Sequence, residues 1–186
     1  AASDVYKRQV MNWESILYEL NNNSDKNISD ELLVVINSTN RIFLTGFGRS
    51  GLALQAFAMR LAQLGKETFF VGDTTTPAIQ DKDLLIIASS SGETSQLIQY
   101  VDTAKNIGAK VWLWSTNTHN TIYKKADYVT ILSGKSKFTN NDITQQPMGS
   151  LFEQSVWLYG DLFVINYMNK FNISEFELKK RHANLE

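Results

Sequence analysis

Short apolar segments that alternate with helical patterns constrain the fold of this chain more than any other feature. The segments at residues 41–45, 67–71, 84–88, 110–115 and 128–132 have the length and the β-branched or aromatic content of buried strands. Apolar residues recur at helical spacing after the first, third and fourth segments, up to residue 64, over 96–107 and over 121–126. This alternation predicts right-handed βαβ units in an α/β fold with one five-stranded parallel sheet. We expect the strand order 2-1-3-4-5, one of the common doubly wound orders, with helices on both faces in a three-layer sandwich.

The length of 186 residues suits one domain with a full hydrophobic core. We expect residues 11–186 to form this domain, with two amphipathic helices before the first strand. A long helix over about 151–169 and a charged helical tail over 174–186 follow the last strand. Residues 1–10 are polar and unpatterned, and we predict that they are a non-native or disordered leader. The polar stretch 133–149 is predicted to be a mobile loop.

Charge and cysteine content exclude several classes of function. The formal net charge of -1 offers no electrostatic surface for nucleic acid or an anionic membrane. The chain has no cysteine, which excludes disulfides, thiolate metal ligands and a cysteine nucleophile, and fits a reducing compartment. No run of about 18 apolar residues is present to span a membrane, and the N-terminus lacks the apolar core of a signal peptide. We therefore expect a cytoplasmic protein that binds a small molecule.

Two loops of small residues follow the first and third predicted strands. Residues 46–51 read GFGRSG, and residues 89–94 read SSSGET. In a parallel sheet of order 2-1-3-4-5, a ligand lies beyond the carboxyl ends of strands 1 and 3, which is where both loops are predicted. Free N–H groups at a helix start and small hydroxyl side chains favour an anion, so we predict a phosphate-binding crevice. Taken alone, the second loop is equally well explained as a turn in which Ser91 is the helix N-cap.

The first loop also allows a different interpretation. Gly46, Gly48 and Gly51 spell GxGxxG between a strand and a helix, and Asp73 follows strand 2 where a ribose-binding acid would lie. This pattern is typical of a nicotinamide-dependent dehydrogenase. A dinucleotide-binding half does not need the second loop, however, and the motif is short and easily matched. We therefore favour the phosphate site.

The two loops on a parallel sheet resemble the sugar isomerase (SIS) domain family, and the resemblance runs from about the first helix to the end of the chain. Three further segments, TTTPAI at 74–79, QPMGSLFE at 146–153 and RHANLE at 181–186, are similar to one isomerase within it. The resemblance implies interconversion of D-arabino-3-hexulose 6-phosphate and fructose 6-phosphate, a step of the ribulose monophosphate route of formaldehyde fixation. It also implies a homotetramer with no metal and no organic cofactor. Ser90 departs from the family pattern, which often has glycine there, but the backbone N–H is retained.

The resemblance assigns the two loops to the phosphate of the substrate. The expected contacts are hydroxyl donors and closely approaching backbone, from Gly48, Ser50, Ser89, Ser90, Ser91, Gly92 and Thr94. Arg49 either adds charge near the sugar or forms a salt bridge at the surface or between subunits. Thr75 and Thr76 either meet sugar hydroxyls or form a threonine-rich turn before Pro77.

Moving a carbonyl from C3 to C2 requires a base for a carbon-bound proton and a group that moves a proton between the two oxygens of a cis-enediolate. The resemblance assigns the base to Glu153, although Ser150 and Glu153 also have the spacing of a capping box. His182 is the expected second catalytic group, acting in its own or a neighbouring subunit, unless it is a solvated surface residue. His119, which follows strand 4, is the alternative. A non-catalytic SIS module that senses a sugar phosphate also stays open, but the region before strand 1 lacks the basic residues and the recognition helix of a DNA-binding sensor.

Overall fold

The computed structural model describes residues 11–22, 27–136 and 143–185. The leader predicted at residues 1–10 lies outside the described residues, as does the centre of the predicted mobile loop, 137–142. The elements in chain order are α1 (Trp13–Asn21), α2 (Asp30–Ser38), β1 (Arg41–Thr45), α3 (Gly48–Gln63), β2 (Glu67–Phe70), β3 (Leu84–Ala88), α4 (Ser95–Ile107), β4 (Lys110–Ser115), β5 (Tyr128–Ile131), α5 (Ser150–Phe171) and α6 (Glu175–Lys180). None of these helices combines the length and the apolarity needed to cross a membrane.

The five strands form one parallel sheet in the order β2-β1-β3-β4-β5, which confirms the predicted topology. Thr45 of β1 lies opposite Ile87 of β3, so these two central strands end side by side. A Cβ atom built on Gly46 would lie 3.0 Å from the carbonyl oxygen of Ala88. The loops that follow β1 and β3 therefore begin in contact with each other at the carboxyl edge of the sheet.

Alternate strand side chains pack into two cores, one on each face of the sheet. On one face, residues of α2, α3 and α5 cover Ile42, Leu44, Leu84, Ile86, Ala88, Trp112 and Trp114. On the other face, residues of α4 cover Phe43, Leu85, Ile87, Val111 and Leu113. Burial on both faces explains why the strands read as nearly continuous apolar runs.

The predicted helix at residues 121–126 is wrong. This segment is a turn, closed by hydrogen bonds from the backbone N–H groups of Lys125 and Ala126 to the carbonyl of Ile122. The side chain of Ile122 is fully buried in the second core, and β5 begins at Tyr128. The chain therefore has no room for a second helical turn. The C-terminal helix is also shorter than predicted, since α6 ends at Lys180.

Asp127, just before the edge strand β5, joins α4 to the neighbouring strand β4. Its carboxylate accepts hydrogen bonds from Lys105 Nζ at 2.7 Å, from Val111 N at 2.9 Å and from Lys110 Nζ at 3.1 Å. Burial of this carboxyl group opposes ionisation, but the bonds from Lys105, Val111 and Lys110 outweigh it and hold the pKa of Asp127 below its ordinary value. The ionised carboxylate therefore stabilises this edge of the fold.

Asp127→Asn is expected to lower the free energy of unfolding by about 1–2 kcal/mol at pH 7, because the amide loses charge-assisted hydrogen bonds. Since the pKa of Asp127 is depressed in the folded state, this stabilisation is present above the pKa of the unfolded carboxyl group. It is lost as the pH falls through the folded pKa. The difference between variant and wild type should therefore shrink as the pH is lowered from about 7 to about 3. Urea unfolding, monitored by tryptophan fluorescence at several pH values, measures this difference in the free energy of unfolding.

The matched control is Asp102→Asn, which removes the ion pair between Lys125 and Asp102, whose side chains are 36% and 47% exposed. A pair this exposed contributes below about 1 kcal/mol, so the control should change stability less than Asp127→Asn does. Equal losses in the two variants, or a loss at Asp127 that does not vary with pH, would contradict the role given to this carboxylate.

Candidate active site

The first loop turns directly from β1 into α3. Gly48, the first residue of the helix, has a φ of 57°, a conformation that favours glycine. A Cβ atom on Gly51 would collide with the carbonyl oxygen of Gly46, so only glycine allows the helix to start this close to the strand. The first turn carries Arg49 and Ser50. The first N–H groups of α3 have no partner within the helix and face the end of the sheet, where an anion is expected.

The second loop, residues 89–94, is called the serine loop here, and its own hydroxyl groups hold its shape. The N–H of Gly92 donates to Ser89 Oγ at 3.1 Å, and the N–H of Glu93 donates to Ser91 Oγ at 3.3 Å. A hydroxyl group that accepts one bond still has its hydrogen to donate to a ligand. Thr94, not Ser91, is the N-cap of α4, so the N-cap interpretation of Ser91 is wrong.

The loop after β4 packs against the serine loop, a contact that sequence reasoning missed. Asn120 is buried beside Gly92, and a Cβ atom on Gly92 would collide with the Asn120 amide. The carboxylate of Glu93 accepts hydrogen bonds from Thr121 N at 2.7 Å and from Thr121 Oγ1 at 2.8 Å. The only signal of this packing in the sequence is the single glycine of SSSGET, where a side chain would collide with Asn120.

Glu153 lies in the first turn of α5, and its carboxylate pairs with Arg49 Nε. The Glu153 side chain is 16% exposed and that of Arg49 is 67% exposed. The capping-box interpretation is wrong, because α5 has no side-chain cap and Ser150 Oγ donates to the carbonyl of Pro147 at 2.8 Å. The carboxylate is instead held by Arg49 in the first turn of α3.

A pocket of about 300 Å³ lies between α3 and α5 at this point. It is lined by Arg49, Leu52, Ala53, Glu153, Gln154 and Trp157. This volume is at the lower end of the range of small-molecule sites. Within the described parts of the chain, no group of three His, Asp or Glu side chains is arranged to hold a metal ion.

The amide of Gln154 is oriented by a relay of hydrogen bonds that begins in α1. The carboxylate of Glu19 accepts from Thr144 Oγ1, Gln145 N and Gln146 Nε2 at 2.6, 2.8 and 2.9 Å. Gln146 therefore presents its amide oxygen to Gln154 Nε2, at 2.8 Å. Gln154 Oε1 is then a buried acceptor with no partner among the residues that the structure describes. Such an acceptor suits a hydroxyl group brought by a ligand.

The two threonines after β2 differ in their surroundings. Thr76 Oγ1 donates to the carbonyl of Phe70 at 2.9 Å, and Thr76 N donates to the carbonyl of Asp73 at 3.0 Å. These bonds close the turn after β2, which favours the structural interpretation of Thr76. Thr75 is exposed at the same edge of the sheet as the first loop.

His182 lies far from Glu153 of the same chain. Arg181 Nη1 donates to the carbonyl of Gln63 at 3.3 Å, and its guanidinium covers Gly65, so the tail docks at the C-terminal end of α3. This helix has 16 residues and is therefore about 24 Å long, with Glu153 at its other end. The exposed imidazole of His182 cannot reach its own pocket while the tail stays docked.

His119, the alternative histidine, lies on the loop after β4 at the carboxyl edge of the sheet. Its backbone N–H donates to Asn117 Oδ1 at 3.0 Å, and its side chain is exposed. The neighbouring residue Asn120 contacts Gly92 of the serine loop. His119 therefore lies at the same edge of the sheet as the two loops, whereas His182 does not.

Comparison with known proteins gives one family. The model of the SIS domain matches residues 19–153. The 3-hexulose-6-phosphate isomerase of Bacillus subtilis (strain 168) is 39% identical, over 92% of this chain and 95% of the relative. The 3-hexulose-6-phosphate isomerase of Methanocaldococcus jannaschii is 36% identical, over 88% of this chain and 87% of the relative.

Among solved structures, one of a hypothetical protein from Methanococcus jannaschii superposes with a TM-score of 0.79 at 34% identity. The aligned region covers 93% of this chain and 96% of the Methanococcus jannaschii chain. That crystal structure is described as inferring a molecular function of 3-hexulose-6-phosphate isomerase. A family model that matches most of the chain, with relatives of this identity over most of both lengths, shows that the protein belongs to the SIS domain family.

Proposed function

We propose that this protein is a 6-phospho-3-hexuloisomerase, which interconverts D-arabino-3-hexulose 6-phosphate and fructose 6-phosphate. The observation that carries the proposal is the partly buried carboxylate of Glu153, held in a pocket by Arg49 of the first loop. The names of the Bacillus and Methanocaldococcus relatives support this substrate and the ribulose monophosphate route as its pathway. The cytoplasmic location expected from the sequence is part of the same proposal.

In the proposed complex the substrate phosphate lies between the first loop and the serine loop. Ser50, Ser89, Ser91 and Thr94 are its hydroxyl donors, and the backbone at Gly48, Ser90 and Gly92 approaches it closely. Support comes from the loop geometry, because Ser89 and Ser91 accept loop N–H groups and keep their own hydrogens for a ligand. The N-termini of α3 and α4 add favourable dipoles for the dianion.

The reaction transfers one proton between neighbouring carbons. Glu153 removes the proton from C2 of the 3-hexulose, which gives a cis-enediolate, and returns it to C3 to give the 2-ketose. A second group moves a proton from the C2 oxygen to the C3 oxygen, so the atoms balance without an oxidant. Arg49 binds Oε2 of Glu153. Gly149 leaves space beside Oε1, where an added Cβ atom would lie 3.2 Å away, and we therefore assign the carbon-bound proton to Oε1.

His182 acts from another subunit in this proposal. Its position at the far end of α3 from the pocket supports transfer across an interface rather than within one chain. A homotetramer is supported by large apolar side chains on the outer faces of α3 and α5: Leu52, Met59, Trp157, Leu158 and Ile165 are each 50% exposed or more. Because Leu52 and Trp157 also line the pocket, a second copy on this face would border the reacting sugar.

Glu153→Gln is expected to lower kcat for fructose 6-phosphate formation by about a thousandfold, because the amide cannot accept the carbon-bound proton. A coupled assay that starts from D-arabino-3-hexulose 6-phosphate measures this kcat. The matched control is Glu31→Gln, an exposed carboxylate on α2, which should keep the wild-type rate. A wild-type protein that binds sugar phosphates without turnover would favour the sensor, and a nicotinamide-dependent absorbance change with a hydroxy substrate would favour the dehydrogenase.

Mixing two inactive variants tests the assignment of His182 to a neighbouring subunit. Glu153→Gln and His182→Asn should each be inactive, but co-refolded mixtures should regain activity because some sites then combine an intact Glu153 with an intact His182. The measurement is the coupled assay before and after co-refolding. No recovery in the mixture would contradict the proposal, and a larger loss in His119→Asn than in His182→Asn would favour His119.

The double variant Met59→Glu/Ile165→Glu is expected to reduce the particle mass seen by light scattering, because buried charges oppose association of the α3/α5 face. The matched control is Ile107→Glu, which adds a charge at a residue that is 43% exposed on α4, across the sheet. Wild-type mass in the double variant, or dissociation caused equally by the control, would oppose an interface on this face.

A further inference from the structure

The carbonyl group of Ser90 is held by the end of β4. It accepts hydrogen bonds from Thr116 Oγ1 at 2.8 Å, Ser115 Oγ at 3.0 Å, Thr116 N at 3.3 Å and Asn117 Nδ2 at 3.4 Å. All these donors end β4 or follow it directly. Since β4 pairs with β3 on the side away from β1, the Ser90 carbonyl points away from the crevice between β1 and β3.

The direction of this carbonyl determines the direction of the next N–H group. In a trans peptide the C=O and the following N–H point in opposite directions, and the described residues contain no cis peptide bond. With the Ser90 carbonyl turned toward β4, the N–H of Ser91 points toward β1 and the first loop. A reversed peptide would instead present a carbonyl oxygen, which repels an anion.

The same loop after β4 holds a second carbonyl of the serine loop. The N–H of Ile122 donates to the carbonyl of Gly92 at 3.2 Å. The Ser90 side chain also contacts this loop, since its Oγ donates to Thr116 Oγ1 at 3.5 Å. Donors of residues 115–122 thus take up two carbonyl oxygens of the serine loop, those of Ser90 and Gly92.

We propose that Thr116 is a positioning residue for phosphate binding. Its hydroxyl group, supported by Ser115 and Asn117, holds the peptide between Ser90 and Ser91 with its N–H directed at the phosphate. Thr116 acts through Ser90 and does not touch the ligand. This inference rests on the proposed function, because it assumes that the substrate phosphate lies between the first loop and the serine loop.

Thr116→Val removes the hydroxyl group and keeps the shape of the side chain. The inhibition constant of inorganic phosphate and the KM for D-arabino-3-hexulose 6-phosphate are expected to rise about fivefold to tenfold, while kcat stays within about twofold, because the phosphate is remote from the reacting carbons. Thr116→Ser restores the donor and should return both constants to near wild type. The matched control is Thr103→Val, which removes a hydroxyl that donates to the carbonyl of Gln99 on α4 at 3.0 Å, and it should leave both constants unchanged.

Thermal melting of each variant separates positioning from general damage. If Thr116→Val does not fold, Ser115→Ala removes another donor to the same carbonyl and should raise the same two constants. Unchanged phosphate inhibition in Thr116→Val, equal losses in the valine and serine variants, or an effect on kcat alone would overturn the positioning role while leaving an active wild-type isomerase in place. A wild-type protein that neither turns over the sugar phosphate nor binds inorganic phosphate would overturn the proposed function together with this inference.

Discussion

The parallel pairing of β1 with β3 is the contact on which the rest of the structure depends. Because Thr45 lies opposite Ile87, both strands end at the same height and their loops start in contact at Gly46 and Ala88. Both faces of the sheet are covered, so this register is stabilised by two cores at once. A shift of one residue in β1 would turn its buried side chains to the opposite face and would offset the starts of the two loops.

The close packing of α5 on α3 brings a carboxylate to the first of these loops. Gly160 lies against Phe57 of α3, and a Cβ atom there would come within 3.1 Å of the Phe57 ring, so glycine permits the two helices to approach. The approach aligns their first turns and allows Arg49 to pair with Glu153. The candidate site is therefore assembled from strand ends, through the loops, and from helix packing, through Glu153. The proposed base and the proposed anion-binding groups come from separate parts of the chain.

Sequence reasoning succeeded where a local pattern has one physical solution. The apolar strands and the small-residue loops predicted a parallel sheet, and the doubly wound strand order expected for it is the order observed. It failed where short-range patterns have two solutions. Residues 121–126 have helical spacing, yet the burial of Ile122 and the early start of β5 limit them to a turn. Ser150 and Glu153 have capping-box spacing, yet the guanidinium of Arg49, from 104 residues away, binds the carboxylate.

The sequence by itself determined the fold class and the residue types in the two loops, because strand burial and backbone turning depend on neighbours close in the chain. Only the tertiary structure decided which side of the serine loop faces the crevice, which partner Glu153 takes and how far His182 lies from its own pocket. Those properties depend on contacts such as Ser90 with Thr116, and no periodicity of the sequence encodes the direction of a peptide group. Long-range packing selects one arrangement among the several that local preferences allow.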